Sequence, residues 1–501
     1  MFLLALLACH PWDHLPGNGY GYLDLATWDP EVVSATDGVY VRLPAAGQLA
    51  RVKPDGSTTL VGLDGASPDR MILAPDDETV LVFASWPVCD DDDPEIKVVE
   101  DCREEDLHTE SELAIVRNGA RDHVADVPSQ FNAMAFSASG SVAVAYIDQT
   151  QASAIEVDGV LNLTEAVFID LATGETHAVP VGFAAEQVLF SDDATQAIVL
   201  SQGQVALVDL ALWEVVVSYS LALDPDSEIQ PENVVLIDAN NTDYALVSIH
   251  GRAELYVLDL TPDAEHVDIV ELDAAPSDLL VDSVTGSTLI VYAGAAQLDM
   301  VEHERFEVSS YELDEGATDM LGGDGQVLLW NQDGAARDVY LVDTTTKKIV
   351  EFRAEDTVES MLLTDDRAYA VATLGASNNG YYGLTLFDLV AQDDPVTLAL
   401  QTRPVGLEIV ASQTALVLLE GNDALFTVDL ATAHTEDLSL EAPALGIDAM
   451  PGEDGRFVVT HDASLGLISF VDPSTGDIAT AAGFASQGLL NDHPLPRRNE
   501  E

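Results

Sequence analysis

The sequence predicts an all-β protein built as an array of four-stranded repeats, and three observations carry that prediction. Short apolar strands with period-two alternation recur along almost the whole chain, each bounded by turn residues. A phrase consisting of an alternating strand that ends in Asp, followed by a polar turn, returns at Asp170, Asp209, Asp259, Asp343, Asp388, Asp429 and Asp472, with separations of 39, 50, 84, 45, 41 and 43 residues. No interval shows a sustained 3.6-residue apolar period, so helices are minor or absent.

The elements follow in chain order. Residues 1–8, Met1-Phe2-Leu3-Leu4-Ala5-Leu6-Leu7-Ala8, form an apolar run that stops at Cys9. This resembles the end of a bacterial lipoprotein signal peptide, in which Leu at -3 and Ala at -1 precede the cysteine that is lipidated. The resemblance implies lipidation at Cys9; the alternative is a buried N-terminal strand with an incidental cysteine. Residues 9–30 carry Pro, Gly, Asp and Trp without periodicity, as expected of a tether. No other stretch approaches 18 uninterrupted apolar residues, so membrane contact is expected only through the lipid anchor. Residues 31–486 hold the repeats and 487–501 form a polar C-terminal tail.

Within the repeats the Asp phrase is one hairpin of two. It reads Ile169-Asp170-Leu171-Ala172-Thr173-Gly174 in one copy and Val471-Asp472-Pro473-Ser474-Thr475-Gly476 in another. The separation of 84 spans two periods, and the intervening copy is the degenerate stretch Phe306 to Leu313. Two earlier copies, around Leu49 to Gly56 and Leu113 to Gly119, lack the Asp. Asp before a short turn accepts hydrogen bonds from N–H groups two residues on, so these aspartates are read as turn residues of the frame. Between them lies a second hairpin, an apolar strand, a short Ser, Asp or Gly turn and a β-branched strand, as in Ala135-Phe136-Ser137-Ala138-Ser139-Gly140-Ser141-Val142.

Two hairpins per unit make four strands, the size and content of a β-propeller blade. The phrases resemble those of bacterial exported β-propellers with YVTN and WD40-like repeats, over roughly residues 31 to 486. Nine well-formed units begin near Asp69, Asn132, Glu186, Glu232, Ser277, Thr318, Glu359, Leu407 and Ile447, and a weaker tenth occupies residues 31 to 66. Common propellers close with four to eight blades. The expectation is one ring of eight to ten blades, with the weak first unit sharing a blade with the C-terminal strands.

Charge narrows the function class. The chain has 501 residues, with 88 Asp plus Glu against 19 Lys plus Arg, a formal net charge of -69. Such a polyanion repels a phosphate backbone, which excludes a general nucleic-acid binder. Mean hydropathy is nonetheless slightly positive, so the chain has the apolar content to fold. Self-repulsion of this size is tolerable when screened, which fits a salty or divalent-rich medium; the alternative use of the charge is solubility of a large β surface.

Cys89 and Cys102 bracket Asp90, Asp91, Asp92, Asp93 and Glu95. A cysteine at each end of a hydrophilic loop is where a disulfide restricts an excursion in an oxidising compartment, so export to the periplasm or outer surface is expected. Asp90 to Asp93 with Glu95, and the stretch Asp238 to Asp243, offer clustered oxygen ligands for Ca2+, but neither has the spacing of an EF-hand and the simpler reading of each is a solvated acidic insertion. Local catalytic motifs are missing: there is no nucleophile elbow, paired-His zinc spacing, P-loop or dinucleotide fingerprint. The resemblance does allow a propeller hydrolase, lactonase-like, or a metal-dependent enzyme whose ligands are scattered one per blade around the channel. His177, His250, His434 and His461 fall in different units and read as surface or packing residues.

The longer insertions, Trp86 to Glu110 and Gln149 to Glu165, point to a recognition face on the N-terminal blades. The leading expectation is a non-catalytic binding or assembly module whose partner is a protein or envelope component. The thermal unfolding midpoint rises as KCl increases from low concentration toward about 1 M, where the screening length is about 3 Å; a midpoint that is flat or falls shows that self-repulsion is not what limits stability.

Overall fold

The computed structural model describes residues 32–482 except 90–106, 128–130, 132, 148–161, 222–228, 240–241, 262–265, 333–335, 376–381, 412, 453–454 and 462–466. Within them, strands form ten sheets of four, covering residues 32–62, 67–125, 133–180, 185–220, 231–271, 278–312, 319–353, 358–400, 404–439 and 444–482. In every sheet the strands lie side by side in chain order and each is antiparallel to the next, so each is one propeller blade. A single short 3-10 turn, Pro44–Ala46, is the helical content of the described residues.

The sequence pattern follows from which strands are covered on both faces. In the fourth blade, the second strand Gln196–Ser201 is buried over five consecutive residues. Ala197 and Val199 pack toward the third blade, alongside Val144 and Phe168. Ile198 and Leu200 pack toward the fifth, alongside Val234 and Val247. Second and third strands are therefore apolar on both sides and read as unbroken Val, Leu and Ile runs. Fourth strands alternate, as in Glu214–Ser220, because one side meets solvent.

Ten apolar clusters result, and each joins one blade to the next. The cluster that closes the ring sets Val39, Val41, Leu43 and Val52 of the first blade against Val458, Ile468 and Phe470 of the tenth. Every apolar side chain of this size contributes roughly 1.5–3 kcal/mol when fully covered. A blade removed from its neighbours therefore loses the burial on both of its faces.

The nine unit starts read from the sequence fall at or within a few residues of the first strands of the second to tenth blades. Two expectations change. The first unit is a complete blade of four consecutive strands, Val32–Ala35, Gly38–Leu43, Gln48–Val52 and Thr58–Gly62, so it shares no strand with the C-terminal blade and meets it through an apolar cluster. Val39, Tyr40, Val41, Leu43, Leu49 and Val52 of this blade are buried against the second and tenth blades. In the sixth blade the degenerate hairpin starts earlier than Phe306. Its third strand is Gln297–Glu302, with Glu302 in the place of the Asp and Phe306 in the turn.

Inner strands approach closely at the seams. A Cβ at Gly406 would lie 2.7 Å from the Ile447 Cγ2 of the next blade, so the ninth and tenth inner strands meet where only glycine fits. At the closing seam, an ideal Cβ on Gly452 lies 3.7 Å from the Thr36 Cβ, within the span of a disulfide. The double variant Thr36→Cys, Gly452→Cys should cross-link on oxidation and raise unfolding free energy by up to about 4 kcal/mol, less the strain of a side chain at the positive φ of residue 452. Peptide mass spectrometry and denaturant titration read both effects. Failure to cross-link means that the first and tenth blades are not apposed.

Candidate functional site

Up-and-down connectivity divides the loops between two faces of the ring. Turns joining strands one to two and three to four emerge on one face; loops joining two to three, and the connections between blades, emerge on the other. Both the start of the first blade and the end of the tenth lie on that second face.

The turn face is tightly bonded. Asp170 accepts the N–H groups of Ala172 and Thr173 at 2.9 Å each, Asp209 those of Ala211 and Leu212, and Asp388 those of Val390 and Ala391. Asp259 receives Thr261, Asp343 receives Thr346, Asp429 receives Thr432, and Asp472 receives Ser474 and Thr475. The backbone and hydroxyl donors of Thr346 and Thr432, and the Ser474 hydroxyl, hold Asp343, Asp429 and Asp472 below the usual carboxylate range. The residue four positions after the Asp takes positive φ, glycine at 174 and 476 but Trp213, Lys347, Gln392 and Ala433 elsewhere. These aspartates sit beside the outer strands in seven of the ten blades, and in each one carboxylate oxygen is occupied by turn donors.

Nearer the axis, successive turns between strands one and two hold each other. Thr36 donates its N–H to the Asp77 carbonyl at 2.8 Å, and Asp324 joins Ser283 of the sixth blade to Arg367 of the eighth. Asp282 is wholly buried between the sixth and seventh blades. Burial would raise its carboxyl, but the Thr285 and Thr344 hydroxyls at 2.6 and 2.5 Å and the Gly325 N–H hold it low. Asp238 and Asp243 belong here as well. Burial, then the carboxylates of Asp238, Asp193 and Asp192, raise the Asp243 carboxyl.

The loop face is uneven. In the second blade the middle strands Val80–Cys89 and Leu107–Arg117 outrun their neighbours, and the pairs Trp86 to Glu110, Pro87 to Thr109, Val88 to His108 and Cys89 to Leu107 have no flanking strand. Four such pairs make a ribbon reaching about 13 Å beyond the blade. Its ends lead into residues 90–106, so Asp90, Asp91, Asp92, Asp93, Glu95 and Cys102 lie outside the described residues, as do Cys9 and most of the insertion from Gln149.

One feature of this face went unassigned in the sequence. Six first strands carry a bulge near their start: between Pro68 and Arg70, Ala185 and Gln187, Pro231 and Val234, Val358 and Ser360, Pro404 and Gly406, and Ala444 and Gly446. A bulge leaves one residue out of the ladder and re-aims its side chain. Here those residues include Asp69, Glu186, Glu232 and Glu359, placing carboxylates on the innermost strands at the loop-face end of the channel. The signal was the acidic residue two positions before the first core residue, as in Glu186 before Val188. Glu232 meets His250 at 3.3 Å, and burial raises Asp69 against the pull of Ser85 and two arginines. The four lie in different blades, and among the described residues no three His, Cys, Asp or Glu side chains are grouped to hold a metal ion.

The histidines do not converge. His177 stacks on Trp213 at 4.4 Å on the outer side of the ring, and His250 and His434 are exposed in turns. His461 is fully buried: its Nδ1 lies 3.0 Å from the Ala442 carbonyl and its Nε2 lies 2.8 Å from the Ser469 hydroxyl, which in turn meets Thr480. With Ser469 also sealed, this Ser–His pair ties three strands of the tenth blade together. His303, buried against Thr288 at 2.9 Å, does the same in the sixth.

No known family description matches the chain, and no curated protein matches it. Solved structures do. A structure described as a eukaryotic initiation factor aligns at a TM-score of 0.51 and 11% identity, covering 79% of this chain and 97% of the other. The dihydro-heme d1 dehydrogenase NirN in complex with DHE aligns at 0.45 and 15%, covering 66% and 72%. The Dos1 propeller aligns at 0.44 and 11%, covering 66% and 90%. At such identities the likeness is one of fold.

The buried titratable groups give opposed pH dependences. Burial lowers His303 from 6.5 to about 4, so the native state holds fewer protons than the unfolded state between these values. Stability falls as pH drops through that window, by about 3 kcal/mol in all. Burial raises Asp448 from 3.8 to about 6, so its contribution is lost as pH rises from 3.8 to 6. Urea titrations should show His303→Gln gaining on the parent as pH falls from 7 to 4, and Asp448→Asn gaining as pH rises from 4 to 7. Parallel pH profiles for variant and parent contradict these assignments.

Proposed function

We propose that the protein is an exported, lipid-anchored β-propeller that serves as a non-catalytic binding or assembly module at the cell envelope, with a protein or another envelope component as partner. The observation that carries this reading is the inequality of the two faces. On the turn face the Asp turns and bonds such as Thr36 to Asp77 tie the polar groups of the connections into the frame. On the loop face a ribbon extends past its flanking strands, and the two longest connections, residues 90–106 and 147–164, both open there. Length variation on one face of a repeat scaffold is the pattern of a binding surface.

The remaining parts of the proposal are compatible with that geometry. Lipidation at Cys9 tethers the chain through residues that enter the first blade on the loop face. A Cys89–Cys102 disulfide would brace the end of the ribbon, and Asp90 to Asp93 with Glu95 would offer oxygen ligands to Ca2+ there. The -69 charge directs the surface toward cationic partners and away from nucleic acid.

The experiment is to replace residues 90–106 with an Asn-Gly turn, which closes an antiparallel ribbon. Circular dichroism and the unfolding midpoint should match the parent, since no described core residue is touched. Affinity capture from envelope extracts, with quantitative mass spectrometry, should lose the partners that the intact protein retains. Retrieval of the same partners in the same amounts rules out this face as the binding surface.

A further inference from the structure

Several carboxyls inside the ring are matched by donors, and Asp448 is not. Asp282 is met by Thr285, Thr344 and Gly325, Asp278 by the N–H groups of Leu279 and Met320, and Asp299 by Tyr292 and Gln297. Asp448, on the first strand Ala444–Ala449 of the tenth blade, has no hydrogen bond or ion pair among the described residues. Burial alone raises its carboxyl to about 6, yet part of its surface stays open. Neighbouring blades cover both faces of that strand, so the open part meets the channel.

A second unmatched group shares its seam. Ser34, on the first strand of the first blade, is 7% exposed, and its hydroxyl oxygen has no hydrogen-bond partner among the described residues. Residues directly opposite in an antiparallel pair lie on one face. Ser34 is opposite Val39 and Asp448 is opposite Val458, and both valines belong to the cluster that joins the tenth blade to the first. Hydroxyl and carboxyl therefore point into the closing seam, from strands that both start on the loop face and come together at Thr36 and Gly452. Buried polar groups left unbonded oppose folding, so two in one seam mark a place for a ligand that bonds both.

The surroundings narrow the chemistry of that ligand. Each first strand pairs only with the second, so its free edge turns carbonyl oxygens to the channel. Asp448 follows the first core residue of its strand, and at that level other blades carry Val33, Ile72, Leu189, Leu280, Leu321 and Leu362, all partly exposed. Glu408 takes the place in the ninth blade, where it is 5% exposed and faces the next seam beside Leu416. One accessible carboxylate, one hydroxyl and carbonyl oxygens suit a single positive charge that carries three N–H donors. Ca2+ takes six to eight oxygens and transition metals favour imidazole or thiolate, and neither gains from an aliphatic wall.

We propose that the closing seam binds a free aliphatic primary amine in its ammonium form, the nitrogen held by Asp448 and Ser34 and the alkyl chain laid against Val33 along the channel wall. The site is separate from the ribbon of the second blade and stands whether or not the loop face binds a partner.

Isothermal titration calorimetry with n-pentylammonium chloride tests this. A body of charge -69 attracts any cation, so the titration is run in about 1 M tetramethylammonium chloride, where the screening length is about 3 Å and the salt cation has no N–H to give. The parent should bind the amine saturably, and n-pentanol, with the same chain and no charge, should not bind. Asp448→Asn should weaken binding more than tenfold and Ser34→Ala about tenfold. Without amine, Ser34→Ala should unfold at the same urea concentration as the parent or a higher one, because it deletes an unbonded buried hydroxyl. Its lost affinity then reports the site and not the fold. No saturable binding, or binding that both variants leave intact, overturns the proposal. Loss of amine binding when KCl replaces the tetramethylammonium salt assigns the seam to a metal ion and overturns it as well.

Discussion

The structure depends on one constraint: the middle strands of every blade are apolar on both faces, so no blade is stable without a neighbour on each side. Ala197 and Val199 look one way and Ile198 and Leu200 the other along a single strand. Ten blades meet this demand only by returning to the first, and the cluster of Val39, Val41 and Phe470 is where they do so. The same constraint decides where charge resides. With the interior closed to unpaired ions, carboxylates occupy turns, outer strands and the channel end. The few inside, such as Asp282 and Asp278, are saturated by neighbouring N–H and hydroxyl groups.

The two faces then divide the work. Turns on one side are short, capped by Asp and bonded from blade to blade, so they are defined by the frame. Connections on the other side anchor their ends in the inter-blade clusters through residues such as Phe131, Ile229 and Leu313, and their lengths differ between those anchors. The base of the second blade's ribbon is held by Leu81, Val82, Leu113 and Ala114 in the core, while its far pairs have no third strand beside them.

Much of this was legible in the sequence because period-two patterning and turn chemistry are local. Unit starts such as Glu186, Glu232 and Glu359 lie within one or two residues of real strand starts. What failed to show depends on distance. Whether the first unit lent a strand to the last is decided by packing between residues more than 400 positions apart, as with Val39 and Phe470. Glu302 escaped notice because a glutamate does not match a pattern keyed to Asp, though its carbonyl accepts the Phe306 N–H as the aspartates' do for their turns. The inner carboxylates marked unit starts in the sequence, but the bulge that turns them out of the ladder is set by pairing with the second strand and not by the residues around them. Burial of His461 and Ser469 likewise comes from residues elsewhere in the ring.

The closing seam has a bearing on how such a chain comes to be. In a ring where one blade is assembled from both ends, loss of a repeat must preserve two half-blades that have meaning only together. Here every blade is contiguous in the chain, so a duplication or deletion of one unit leaves only whole sheets. The ring need only change its wedge angle slightly at each apolar interface. A count of ten is then a reachable outcome of stepwise unit copying, and the number of blades is an adjustable quantity in the history of the molecule.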